Sequence, residues 1–337
     1  MHSLQSRVSS RVALLALGGA LLGGCVVEVD EVPENVERHQ EASGACPPGV
    51  PDCGCNLDIY SDCSVKMQRT ADGKYYLAIT HFICKDTAAS STPSGTCPVQ
   101  STDYVIGGGA FVIGSTGAAL TKSRLVPGLG GGWSAKSAGV SGAVQHSLRI
   151  FSVGLQLFDA NTLRYVNIAN DIHNYVFASG TGDQVGKSFT VPGGEVLVGG
   201  GFSTTTGSFA VDAYASGMLG GTWHVNAKQF GGTPAKVTGE AISLSRCIPS
   251  ANPSLCFSRR RIFEAVSPGG NFLQGVNAVN TDPALFVVGA GAVSSSWLRP
   301  LWGTFPMSNE NGVAFAFTVA PTGDLGHVTA QALALGF

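Results

Sequence analysis

Tyr104-Val105-Ile106-Gly107-Gly108-Gly109-Ala110 sets an apolar run directly against three glycines. A short apolar run rich in Val and Ile reads as a buried strand. Glycines at its end remove side chains where a bulge or a tight crossing brings two backbones together. The pattern returns as Val196-Leu197-Val198-Gly199-Gly200-Gly201-Phe202 and as Phe286-Val287-Val288-Gly289-Ala290-Gly291-Ala292. The triplets start at 107, 199 and 289, a spacing of 92 and then 90 residues. Self-similarity at a fixed period points to a body built of repeats.

The register extends downstream. Gly131-Gly132-Trp133-Ser134-Ala135-Lys136 matches Gly221-Thr222-Trp223-His224-Val225-Asn226, and Val313 to Phe317 takes that place in the third copy. Alternating segments then close each unit: Ser147 to Leu157, Val237 to Cys247, and Val328 to Leu335. Period-two apolarity marks half-buried strands. The fold class is therefore all-β, with three similar four-stranded repeat units plus an N-terminal partial unit. That partial unit pairs Ser64 to Met67, read as a Trp-type strand, with the closing strand Lys74 to Cys84. The connections 158–190 and 248–284 are less regular, with short helical turns expected near Leu163 to His173 and Arg260 to Val266.

Composition agrees. Charged residues are 12% of the chain and glycine reaches 46 of 337, which suits short strands and many turns rather than a helical bundle. Trp133 and Trp223 read as core residues beneath each repeat. Trp297 and Trp302, flanking Arg299-Pro300, break the pattern and form a candidate contact patch.

The first 25 residues carry an address. Arg7 and Arg11 precede the apolar segment Val12 to Leu22, which is shorter than the roughly 20 residues a spanning helix needs. The segment ends in Leu22-Gly23-Gly24-Cys25. This ending resembles the signal of bacterial lipoproteins. The resemblance implies cleavage before Cys25, lipid (palmitate) attached there, and a membrane anchor in the cell envelope. By the best-known sorting rule, Val26 at the next position favours the outer membrane. Residues 26–45 hold six acids, one arginine and no aromatic residue, as a flexible acidic tether would.

The parts are then a signal at 1–24, the tether at 25–45, a Cys/Pro-rich cap at 46–63 and a repeat body at 64–337. The body's units fall near 64–100, 101–190, 191–280 and 281–337. Loss of residues 1–24 removes two arginines and no acid, leaving 18 bases, 22 acids and a net charge of −4. The body is close to neutral, which gives nucleic-acid binding no electrostatic support. Arg259-Arg260-Arg261 is its one basic run and reads as an exposed loop or strand end.

Eight cysteines follow Cys25, an even number in an oxidising compartment, which favours disulfides. Cys46, Cys53, Cys55 and Cys63 crowd among prolines as a stapled cap. Cys53-Gly54-Cys55 is too tight for a zinc knuckle, so no metal is expected. Cys84 and Cys247 each end a closing strand, and Cys97 and Cys256 follow shortly after. The register predicts bridges Cys84–Cys97 and Cys247–Cys256.

Reactive motifs are missing. G-x-G-x-x-G fails at Val112, Thr204 and Ser294, and Gly182 to Ser188 lacks one residue of a phosphate loop. No G-x-S-x-G or H-E-x-x-H occurs, and neither histidines nor carboxylates cluster. No catalytic residue and no cofactor are expected. The order of apolar strand, Gly-Gly-Gly, Trp strand and alternating strand is similar to the β-prism of the vitelline membrane outer layer proteins in unit length and strand count. A β-sandwich or small propeller is the alternative. The functional expectation is a lipid-anchored, non-catalytic envelope protein that is structural or binds an envelope glycan or protein. The alternative is an envelope hydrolase with its site in the connections that hold Asp171 and His173.

Overall fold

The computed structural model describes residues 58–70, 73–216, 221–248, 251, 255–270, 272–307, 312–320 and 325–336. Cys25, the tether and Cys46, Cys53 and Cys55 lie outside them. The described residues form nineteen strands and no α-helix. In chain order these are β1 (Tyr60–Arg69), β2 (Tyr75–Cys84), β3 (Ser94–Pro98), β4 (Tyr104–Ile113), β5 (Ala118–Val126), β6 (Gly132–Gly139) and β7 (Ser147–Asp159). Next come β8 (Ile172–Ala178), β9 (Gln184–Thr190), β10 (Glu195–Thr204), β11 (Ser208–Ser216), β12 (Thr222–Gln229) and β13 (Val237–Ser245). Last are β14 (Arg259–Val266), β15 (Gln274–Val279), β16 (Phe286–Ser294), β17 (Leu301–Met307), β18 (Val313–Thr318) and β19 (Val328–Gly336).

The strands make three antiparallel sheets. One runs β1-β2-β7-β4-β17-β18-β15, the second β3-β6-β5-β10-β13-β8, and the third β14-β19-β16-β11-β12-β9. A two-sheet sandwich is thereby excluded. The connections hold more strand than their irregular pattern predicts: 158–190 contains β8 and β9, and 248–284 contains β14 and β15. The helical turn expected at Arg260 to Val266 is strand β14, paired along its length with β19. Only Ala169–Asp171 keeps a helical turn, a 3₁₀ one.

The glycine triplets sit where the sheets meet. Each glycine strand pairs with a closing strand, and the register slips just before the first glycine: between Val105 and Gly107, Leu197 and Gly199, and Val287 and Gly289. The slipped residues Ile106, Val198 and Val288 are buried. Their carbonyls form a ring. A β-carbon on Gly107 would lie 2.1 Å from the Val288 oxygen, one on Gly289 2.3 Å from the Val198 oxygen, and one on Gly199 3.4 Å from the Ile106 oxygen. The triplets converge, but inside the core.

The second glycine makes room for tryptophan. A β-carbon on Gly108 would stand 2.6 Å from the Trp133 ring, and one on Gly200 2.4 Å from the Trp223 ring. Both rings are buried, as core residues should be. The third triplet carries Ala290, and β18 has Ala314 as its second residue, with no indole to accommodate.

The residue opposite the third glycine differs in each sheet: Phe151 across from Gly109, Glu240 across from Gly201, and Gln331 across from Gly291. Glu240 Oε2 accepts the Leu125 N–H at 3.1 Å, and Gln331 Oε1 accepts the Ala215 N–H at 2.9 Å. The corresponding residue of β17 is Pro306, which has no N–H to satisfy. There Phe151 stacks on Phe305, with centroids 4.1 Å apart. A buried amide needs an acceptor, so the acceptor is present only where the amide is.

One buried acid lies near this seam. Asp103 is fully buried before β4, its Oδ2 placed 2.6 Å from where a Gly154 β-carbon would stand. Burial pushes its carboxyl up to about 7, and the Gln100 backbone and Gln156 side chain offset only part of this. An unfolded aspartate titrates near 3.9, so from about pH 4 to pH 7 the unfolded chain releases a proton that the folded chain keeps. Stability therefore falls as pH rises through that window. Asp103→Asn is expected to flatten the fall, read from urea midpoints across the same range. An unchanged pH slope would contradict a proton held on Asp103.

Candidate functional site

Four arginines line one open cleft. It has a volume of about 550 Å³ and is lined by Arg246, Arg259, Arg260, Arg261, Glu195 and Asp282, among others. That volume lies within the range of small-ligand sites. The cleft sits where β10 and β13 of the second sheet approach β9, β12 and β14 of the third. The arginines outnumber the carboxylates, so the lining is positive.

The chain brings the arginines together through a short hairpin. Cys247 and Cys256 form a disulfide, and Phe257 N–H donates to the Arg246 carbonyl at 2.8 Å. Arg246 N–H donates to the Gly194 carbonyl at 2.7 Å, fixing Arg246 beside the start of β10. The hairpin leads into β14, an edge strand, where Arg259 and Arg261 are exposed and Arg260 is half-buried. Burial and the Arg246 charge both lower the Arg260 pKa, burial being the larger cause. The second predicted bridge, Cys84–Cys97, is also present, and Cys63 is disulfide-bonded.

Glu195 lies on the cleft wall and is held from behind. Its Oε1 accepts the Tyr175 hydroxyl at 2.7 Å, and its Oε2 accepts the Ser243 hydroxyl. His173 Nε2 is 3.8 Å from Oε1. Burial, then the Glu195 charge and hydrogen bond, push the Tyr175 phenol up to about 12. Serine, histidine and carboxylate thus meet, but in the wrong order for a nucleophile. Ser243 is fully buried and donates to Glu195 instead of to His173.

Two serine–histidine contacts occur elsewhere. Ser137 Oγ lies 2.8 Å from His146 Nε2, with the Val144 carbonyl 2.7 Å from Nδ1, and both side chains are buried away from any substrate. Ser216 Oγ lies 2.5 Å from His224 Nε2, whose ring stacks on Tyr214. His81 is buried against the Val287 carbonyl, and burial lowers its pKa to about 4. Among the described residues no cluster of three His, Cys, Asp or Glu could hold a metal ion.

The expected patch at Trp297, Arg299 and Trp302 is not a surface. Arg299 is fully buried, its guanidinium donating to the Gly270 and Phe272 carbonyls at 2.9 and 2.8 Å. It ties two loops together, which a motif scan reads as an exposed charge. Trp302 is buried against Phe111 and Phe317, with its indole N–H on the Ser115 carbonyl at 2.8 Å. Only Trp297 is partly exposed.

Asp171 is buried in the 3₁₀ turn and does not line the cleft. Sequence reasoning noticed the arginine run but missed Arg246, Glu195, Tyr175 and Ser243. The available signal was the Cys247–Cys256 spacing, which places Arg246 next to the run. No protein-family model and no curated protein matches this chain.

Proposed function

We propose that this protein is a lipid-anchored component of a bacterial cell envelope, in the outer membrane, whose body binds an envelope polymer without transforming it. Cys25 and the acidic tether motivate the anchor. The observation that carries the binding role is the cleft: four arginines line it, three of them exposed, while its best-placed acid, Glu195, is tied to Tyr175 and Ser243.

The body is read as three similar units of six strands, not four: β2–β7, β8–β13 and β14–β19, with β1 added at one edge. Each unit gives its first, third and sixth strands to one sheet and its second, fourth and fifth to the next. The recurring strand order supports this reading. So does the cyclic contact of the three slipped carbonyls with the three glycines. The unit boundaries move accordingly, to about 75–159, 172–245 and 259–336. The likeness to a β-prism then lies in the three-sided closure, whereas the exchange of strands between units departs from it.

A binder of this kind needs a rigid frame that presents a fixed charge pattern, and three sheets packed on one shared core supply one. The test uses the full chain and isolated envelope fractions: peptidoglycan, outer-membrane polysaccharide and envelope proteins. Retention on one fraction is expected, together with fatty-acid labelling that disappears in Cys25→Ala. No retention on any fraction would overturn the binding role. So would turnover of an ester, peptide or glycan that is lost in His173→Ala, which would establish the hydrolase instead.

A further inference from the structure

We infer that the arginine cleft is a site for a phosphate group, with Arg246, Arg259 and Arg261 as its ligands. The inference rests on the binding role proposed above and names the chemistry recognised at that site.

Three features separate the cleft from ordinary surface charge. Edge strands often carry cationic side chains that discourage pairing with another chain. Arg259 and Arg261, exposed on β14, would serve that purpose alone. Edge protection does not require Arg246, delivered from the end of β13. Second, the disulfide and the Phe257–Arg246 backbone bond lock the two arginine sources together. Like charges held near each other repel, and a fold tolerates the arrangement when an anion relieves it. Third, among the described residues Arg246, Arg259 and Arg261 form no ion pair with a carboxylate. Their forks remain available to an incoming oxyanion.

Phosphate fits this lining better than a carboxylate does. A guanidinium fork takes two oxygens in parallel, so a single carboxylate is satisfied by one arginine. A phosphate offers more acceptor oxygens and more charge, and can engage several forks. The cleft, at about 550 Å³, also leaves room for what the phosphate is attached to. The same chemistry is presented by a phosphorylated envelope polysaccharide and by a phosphomonoester lipid headgroup.

The test is titration calorimetry of the full chain with inorganic phosphate and pyrophosphate. Two further arms use phosphatidic acid vesicles against phosphatidylcholine vesicles, and a phosphorylated polysaccharide. Saturable binding that weakens with added salt is expected. Arg246→Gln and Arg259→Gln should each weaken it about tenfold, because each removes a charge-assisted pair. Both side chains are exposed, so folding should survive, and an unchanged thermal midpoint would verify this. Arg246→Lys keeps the charge and should recover only part of the affinity. Cys247→Ser/Cys256→Ser should weaken binding by freeing Arg246 from β14.

Absence of saturable phosphate binding would overturn the inference, as would equal affinity in the double variant Arg246→Gln/Arg259→Gln. Binding of polygalacturonate but not of phosphate or pyrophosphate would overturn the choice of anion. Failure of the two readings is separable. Phosphate binding without retention on any envelope fraction leaves the site standing and removes the envelope role. Retention on a fraction that the double variant preserves does the reverse.

Discussion

Gly107→Ala is expected to destabilise the body by about 3 kcal/mol or more, at the upper end of what overpacking a core costs. The added β-carbon would stand 2.1 Å from the carbonyl oxygen of Val288. That atom is backbone, so no rotamer change can yield. Val288 cannot retreat freely, because its neighbour Val287 accepts a bond from His81 and Gly289 is itself pressed by the Val198 carbonyl. Movement at one contact is therefore passed to the other two. Gly180→Ala is the matched control: nothing lies within 4 Å of its β-carbon position. Urea denaturation of both variants reads the difference. A Gly107→Ala protein as stable as Gly180→Ala would refute the ring of carbonyl–glycine contacts.

The sequence exposed this ring only in outline. Three triplets at near-equal spacing identify glycine as structural, since no helix or phosphate-binding fingerprint follows them. Spacing alone does not say that the triplets touch. That contact joins residues about 90 positions apart, and only the arrangement of sheets creates it. The strands that the local pattern does not show share one cause. β8, β9, β14 and β15 all lie at sheet edges. An edge strand is covered less, so its side chains need not alternate cleanly between apolar and polar. β9 reads Gln-Val-Gly-Lys-Ser-Phe-Thr and is mostly exposed. Its conformation comes from pairing with β12, which a local pattern cannot register. β14 begins with three arginines for the same reason, and burial alternates along it only weakly.

The buried polar residues were equally opaque. Arg299, between two tryptophans, has the composition of a contact patch. Its role is set by carbonyls at Gly270 and Phe272, on a loop that the order of residues does not place nearby. The cysteine pairs were legible because they are local and because the closing strands repeat. They also mark the cleft, since one of them draws Arg246 to the arginine run.

Arg124→Leu should cost about 2–3 kcal/mol, and Glu240→Gln in the same chain should restore most of it. Arg124 and Glu240 form the ion pair at the seam of the second sheet. Glu240 is 1% exposed and Arg124 34%. Breaking a buried pair from one side leaves an uncompensated charge, and the partial exposure of Arg124 sets the loss toward the low end of that range. Burial already raises the Glu240 pKa, with Arg124 the leading influence that lowers it. Without Arg124 the pKa rises further, so the variant's deficit grows as pH increases above about 4, the unfolded glutamate value, and shrinks on acidification. The third sheet states what glutamine does at this position. Gln331 accepts the Ala215 N–H with its oxygen and donates to the Ala215 carbonyl at 3.1 Å. Glutamine at 240 has the same N–H and carbonyl available at Leu125 and brings no charge to bury. The double variant should therefore lose the pH dependence that the single variant gains. Glu240→Leu, which leaves the Leu125 amide without its acceptor, should not rescue to the same extent. Equal stability of Arg124→Leu and Arg124→Leu/Glu240→Gln at neutral pH would mean that the seam is held by packing, not by the acceptor on its buried amide.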